Sequence, residues 1–287
     1  MKTNLLLLDS YSNIEDFLAY AFSFSNQTKR SLKIKYVFDF NWMVESYMVG
    51  PGGPVDPALV AVEKNAREEF KVAENKIHEI AEDYLKKHSL KVSYDISVSE
   101  INRIDLGQDE YEKHPDMVLL ISNQQSYNEA SGGLIGYPNL IEHVKCPVLV
   151  IPEDTTRFVM KDVLYATDYH SEDIDALKHL NSLNDGNDAI KITLLHNGEN
   201  KDFSEKLKWT GFQEVVKNDT GIRNPHFEWT TKKDTLEAIE EFVENNDPDL
   251  LVILKEKRGF FWQIFHSGEI KGVLTHLNKP VLVYHEK

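Results

Sequence analysis

The chain has 287 residues, enough for about two domains of ordinary size. Hydrophobic residues make up 41% of it and charged residues 28%, which supports a full core and excludes both a disordered chain and a disulfide scaffold. The net charge of −15 excludes general nucleic-acid binding and adhesion to an anionic membrane surface. Cys146 is the single cysteine and cannot form an internal disulfide, which fits a reducing cytoplasm. The apolar run Leu5–Leu8 stops at Asp9, short of the about 7–15 residues of a signal peptide and the about 20 of a membrane helix. The expectation is an acidic, soluble, cytoplasmic chain without a membrane partner.

In chain order, Leu5–Leu8 reads as a short buried strand. Ser12 with Glu15 forms a capping box ahead of Ile14, Phe17, Leu18 and Ala21, one face of a helix. Leu32–Phe38 is the second strand. A long apolar-aromatic connection follows, with Phe40, Trp42, Met43 and Tyr47 ahead of Pro51-Gly52-Gly53-Pro54. It reads equally as a lid, a partner surface or packing over the domain's own helices. Asp56-Pro57 starts a helix whose apolar residues, from Leu59 to Tyr84, recur at threes and fours as far as about His88. Val92–Val98 alternates as a strand, and residues 99–113 are polar and weakly helical. Met117–Ile121 is a continuous apolar strand, Pro138–Val144 a short helix and Val148–Ile151 a strand.

The second half repeats this order. Strands are expected at Val163–Ala166, Ile190–Leu195, Phe227–Thr231, Leu250–Leu254 and Val281–Tyr284. Ile174, Leu177, Leu180 and Leu183 mark one helix. Phe203–Val216 marks another, interrupted at Gly211. Leu236, Ile239, Phe242 and Val243 mark a third, and Phe260–Leu277 holds the last. The repetition extends to motifs. His114-Pro115-Asp116-Met117-Val118-Leu119-Leu120-Ile121 parallels Asp247-Pro248-Asp249-Leu250-Leu251-Val252-Ile253-Leu254. Cys146-Pro147-Val148-Leu149-Val150 parallels Lys279-Pro280-Val281-Leu282-Val283. Pro115 to Pro147 and Pro248 to Pro280 both span 32 residues, a match without a gap. Asp9 with Ser12 parallels Asp168 with Ser171. The boundary is placed within Pro152–Phe158, giving domains 1–154 and 155–287. Strands alternating with helices imply α/β domains with parallel sheets. The gap-free match predicts two tandem doubly wound five-stranded sheets in the order 3-2-1-4-5, related by a pseudo-twofold. Val148–Ile151 and Val281–Tyr284 would lie close enough to pair antiparallel, sealing two strand edges.

These residues resemble the universal stress protein family in its tandem form, over nearly the whole chain. The Pro-Asp-Leu-Leu-Val-Ile strand with its 32-residue step to Lys-Pro-Val-Leu-Val, and the strand ending Ala166-Thr167-Asp168, carry the resemblance. It implies domains paired through their last strands and, in nucleotide-binding members, ATP at the sheet's carboxyl edge. It also implies a strand-one aspartate near the adenine and ribose end. Those members carry Gly, two residues, Gly, nine residues, then Gly with Ser or Thr, because glycines let backbone amides approach a triphosphate. Here the three glycine positions hold Leu254, Lys257 and Ser267 in the second half, and Ile121, Gln124 and Leu134 in the first. The departure argues against ATP as a cofactor.

The candidate ligand residues are Asp168 and Thr167 with their counterpart Asp9, then Lys257, Arg258, Ser267 and Gly268, and Gly132 with Gly133. Asp9 and Asp168 read either as ligand contacts or as capping residues at a helix start. Lys255-Glu256-Lys257-Arg258, followed by Gly259, Phe260, Phe261 and Trp262, reads as an anion or partner contact or as a loop anchored by aromatics. Ser131–Gly136 reads as a ligand loop or a turn. The eleven histidines show no metal-ligand spacing, Cys146 reads as a buried small residue, and no nucleophile elbow or P-loop is present. The expected function is therefore a non-enzymatic stress-response or signalling protein with a protein partner. The halves pair within the chain, and a homodimer is a further option. The alternative is an ATP-binding switch with weak or no hydrolysis.

Overall fold

The computed structural model describes residues 2–8, 14–37, 57–99, 109–122, 137–152, 155–184, 190–198, 202–255 and 277–286. Among these described residues ten strands form one sheet. The first half contributes β1 (Thr3–Leu8), β2 (Ser31–Val37), β3 (Tyr94–Ser99), β4 (Leu119–Ser122) and β5 (Val148–Ile151). The second contributes β6 (Asp162–Ala166), β7 (Lys191–Asn197), β8 (His226–Thr230), β9 (Leu250–Lys255) and β10 (Val281–His285). Their order is β3-β2-β1-β4-β5-β10-β9-β6-β7-β8. Each half thus has the expected 3-2-1-4-5 order. Every pairing is parallel except β5 with β10, where Leu149 faces Leu282 in antiparallel register. The two last strands cover each other, so the sheet runs on across the seam.

Helices cover both faces. On one lie α1 (Ile14–Gln27), α2 (Pro57–His88), α4 (Glu172–Leu183) and α5 (Phe203–Asp219); on the other lie α3 (Tyr137–His143) and α6 (Thr235–Asn246). Asp202 and Asp234 cap α5 and α6, accepting from the N–H of Glu205 and Glu237, three residues on in each case. The α5 helix runs unbroken through Gly211, contrary to the interruption read from the sequence. Glycine lowers helix propensity, but Trp209, Phe212 and Val216 are buried on either side of it and hold the backbone helical. Nothing stands within 4 Å of where a Gly211 Cβ would lie. Gly211→Ala should therefore raise stability by about 0.5–1 kcal/mol, read by urea denaturation.

The repeat holds, but its register slips at the fourth strand. Sequence matching sets Ile121 against Leu254, yet Ile121 faces the α3–α6 side and Leu254 the opposite side. Leu5 pairs with Leu119, and Leu164 pairs with Leu251, so the structural counterpart of Leu254 is Ser122. In a strand a one-residue shift exchanges the faces. At the fifth strand the sequence match is correct, since Leu149 and Leu282 share a face.

The seam is held by side chains as well as by the ladder. The C-terminal carbonyls of α3 are met from the other half: His285 Nε2–H donates to Ile141 O (2.8 Å) and Lys255 Nζ to Glu142 O (3.1 Å). On the opposite face His179 Nε2–H donates to Asp116 O (3.3 Å), which also accepts from buried Arg30 Nη1. Tyr284 OH donates to His179 Nδ1 (2.9 Å). Phe158, fully buried, packs edge-on to Tyr20 and Phe24 of α1 and donates its N–H to Ser23 Oγ (3.2 Å). Asp249, from the Pro-Asp motif, accepts from the N–H of Lys161 and Asp162 (3.0 Å each), fixing the start of β6 beside β9.

Candidate functional site

Strand order reverses between β6 and β9, and crevices for ligands in open α/β sheets form at the carboxyl ends of such strands. Thr167 and Asp168 follow β6 at this point. Thr167 is buried and holds the turn from three directions. Its hydroxyl donates to Asp173 Oδ2 (2.6 Å) and accepts from Tyr169 N–H (3.0 Å), while its carbonyl accepts from His196 Nδ1–H (2.9 Å). Asp173 also accepts from Tyr165 OH (2.7 Å) and His170 N–H (3.0 Å). Burial pushes its carboxyl up to about 6 against these hydrogen bonds.

The capping role offered for Asp168 therefore falls to Thr167 and Asp173, whose side-chain oxygens accept from the Tyr169 and His170 amides of this turn. Ser171, at the start of α4, makes no capping bond. Asp168 lies 3.8 Å from His196 Nδ1, with its side chain about one-third exposed. Burial raises its carboxyl while His196 opposes the shift. Burial also lowers the His196 imidazole, favouring the neutral ring, and the Thr167 carbonyl holds a proton on its Nδ1.

Aromatic rings fill the space beside this pair. Tyr169, in left-handed backbone (φ 64°), stacks on His196 with centroids 3.9 Å apart. Trp209 and Phe212 of α5 pack on Tyr169 at 5.6 Å, and Trp229 of β8 meets His196 edge-on at 5.7 Å. Gly198 follows β7 beside them. A Cβ there would come within 2.9 Å of both His196 Nε2 and Trp229 Nε1, so the two rings close on each other only over a glycine.

No family model matches the chain, and no curated protein matches it in sequence. Solved structures do. A universal stress protein from Archaeoglobus fulgidus superposes with a TM-score of 0.60 at 14% identity, covering 99% of this chain and 97% of that one. A functionally unknown protein from Pseudomonas aeruginosa superposes with a TM-score of 0.50 at 13% identity, covering 99% and 92%. The chain has the universal stress protein fold. Both matches cover nearly the whole of this chain, so the likeness extends over both halves.

Within this universal stress fold the structure brings Thr167 and Asp168 together at the expected edge. Asp9, Gly132, Gly133, Lys257, Arg258, Ser267 and Gly268 lie outside the described residues, as do Gln124, Leu134, the connection through Phe40–Pro54 and the helix expected at Phe260–Leu277. Lys255, grouped with the basic cluster from sequence, is committed to the seam through Glu142 O. Leu254 is buried in the core and borders a cavity of about 200 Å³ at the seam, together with Lys145, Glu172, His179, Tyr284 and His285. That cavity exists because antiparallel β5 and β10 set the carboxyl edge of one half against the amino edge of the other.

Sequence reasoning missed Tyr169, Asp173, His196, Trp209 and Trp229. His196 and Trp229 sit near the ends of β7 and β8, and strand alternation could have placed them on the edge; nothing in the sequence marked Asp173. Cys146 is buried and its thiol pushed up to about 12, in keeping with a packing role. Among the described residues no group of three His, Cys, Asp or Glu could hold a metal ion, and no helix is long and apolar enough to cross a membrane.

Proposed function

We propose that the chain acts as a non-enzymatic stress-response or signalling protein of the universal stress type, and that it does not hold ATP in the family's manner. The observation that carries this reading is the Tyr169–His196 stack beside Asp168, closed by Trp209 and Trp229. A nucleotide base approaching Asp168 from this side would have to displace rings already packed on one another. Leu254 adds to it, because a buried leucine stands where the signature has its first glycine. Its side chain keeps a phosphate from the close backbone approach that glycine permits.

Calorimetric titration with Mg-ATP tests the reading. Weak or absent heat is expected. A dissociation constant in the low micromolar range, about −8 kcal/mol, would mean that the rings open and that the nucleotide switch is the better description.

A further inference from the structure

Helix α5 has two apolar faces. Trp209, Phe212 and Val216 point into the core. Phe203, Leu207 and Val215 are left outside, 82%, 64% and 40% exposed. With Gly211 they occupy every fourth position, which makes one ridge along the helix. At about 100° per residue, Leu207 lies roughly 170° from the centre of the buried trio, facing away from the sheet. Large exposed side chains repeated along one ridge differ from apolar residues scattered singly over a surface.

The ridge is complementary to itself. Its spacing is symmetric about Trp209, so position 203 corresponds to 215 and position 207 to 211. Two copies of α5 crossing antiparallel would set Phe203 against Val215 of the second copy, and Leu207 into the notch at its Gly211. Each contact occurs twice. The notch is open, since nothing beyond the helix's own neighbouring backbone stands within 4 Å of a Gly211 Cβ. Charge agrees with this direction. Residues 203–210 carry Glu205, Lys206 and Lys208, a net +1; residues 211–219 carry Glu214, Lys217 and Asp219, a net −1. Antiparallel pairing sets these halves, and the helix dipoles, in opposition; parallel pairing would set like on like.

We propose that the outer face of α5 is a self-association surface, through which two copies of this chain pair antiparallel about Phe203, Leu207, Gly211 and Val215. The surface is available because α5 is the crossover from β7 to the edge strand β8, at the periphery of the sheet. It is distinct from pairing through last strands, which β5 and β10 already satisfy within the chain. The inference is independent of the nucleotide reading. A single helix pair falls short of the roughly 800 Å² per partner of a standard interface, so the dimer is weak. Each copy carries −15, so salt strengthens the association.

Sedimentation velocity over a range of micromolar concentrations, in physiological salt, reads the equilibrium. The unaltered chain should shift from monomer toward dimer as concentration rises. Leu207→Lys should remove the dimer, and Gly211→Ala should weaken it roughly tenfold or more, because its methyl fills the notch. The second substitution separates surface from fold, since it should raise the melting temperature while weakening the dimer. A monomer at every concentration overturns the proposal, and so does a dimer that both substitutions leave unchanged.

Discussion

Acidification from pH 7 to pH 5 should remove about 2–3 kcal/mol of stability, and replacing His179 and His285 together should abolish or reverse that response. Both imidazoles lie at the seam, and burial lowers each from 6.5 to about 4. The unfolded chain takes up their protons as pH falls through 6.5, whereas the folded chain holds both neutral until about 4. Stability is therefore present above 6.5 and lost on the way down, by about 2 kcal/mol per histidine at pH 5. Asp173 works the other way. Its folded carboxyl is raised from 3.8 to about 6, so the folded state binds the extra proton and gains about 1 kcal/mol over the same interval. Two losses outweigh one gain. Burial also lowers His196 and raises Asp168, and these effects oppose each other. Glutamine at 179 and 285 offers one donor and one acceptor for the bonds to Asp116 O, Tyr284 OH and Ile141 O without titrating. Urea unfolding at the two pH values checks both statements. In the His179→Gln/His285→Gln chain, acidification should leave stability unchanged or raise it. A loss as large as that of the unaltered chain would place the proton uptake elsewhere.

Asp173→Ala should cost about 3 kcal/mol at pH 7, lowering the melting temperature by roughly 6–12 °C for a chain of this size. Three donors lose this acceptor: the hydroxyls of Tyr165 and Thr167 and the His170 amide. A buried donor left unsatisfied costs about 1–3 kcal/mol, and removing a desolvated carboxylate offsets part of the sum. Asp173→Asn should cost less but still destabilise, because one carboxylate oxygen becomes an NH₂ facing donors. The turn that presents Asp168 would loosen with it, so near-ultraviolet circular dichroism of the Tyr169–Trp209 cluster should change along with the melting temperature. A melting temperature within a degree of the unaltered chain would remove Asp173 from the frame of the site.

Most of the described elements, and their order, are legible in the sequence alone. Continuous apolar runs such as Leu250–Leu254 mark strands covered on both faces, and Asp56-Pro57 marks the start of a helix that ends at His88, as observed. The repeated Pro-Asp and Pro-Val-Leu-Val motifs point to the topology, because parallel strands joined by helices leave few ways to close a sheet. Local chemistry writes these features, so they are legible residue by residue. Tertiary structure alone decided three things. It set the face of the fourth strand: Ile121 and Leu254 look equivalent in sequence, but the pairing of Leu5 with Leu119 and of Leu164 with Leu251 puts them on opposite sides. It carried Gly211 through a helix that propensity would have broken, because buried rings flank it. It also assembled the site. Asp173 and Thr167 bond across one turn, while His196 and Trp209 arrive from β7 and α5 to pack on Tyr169, and Trp229 arrives from β8 to meet His196 edge-on. Packing among residues tens of positions apart has no local sequence signature, and it is what fills the space beside Asp168.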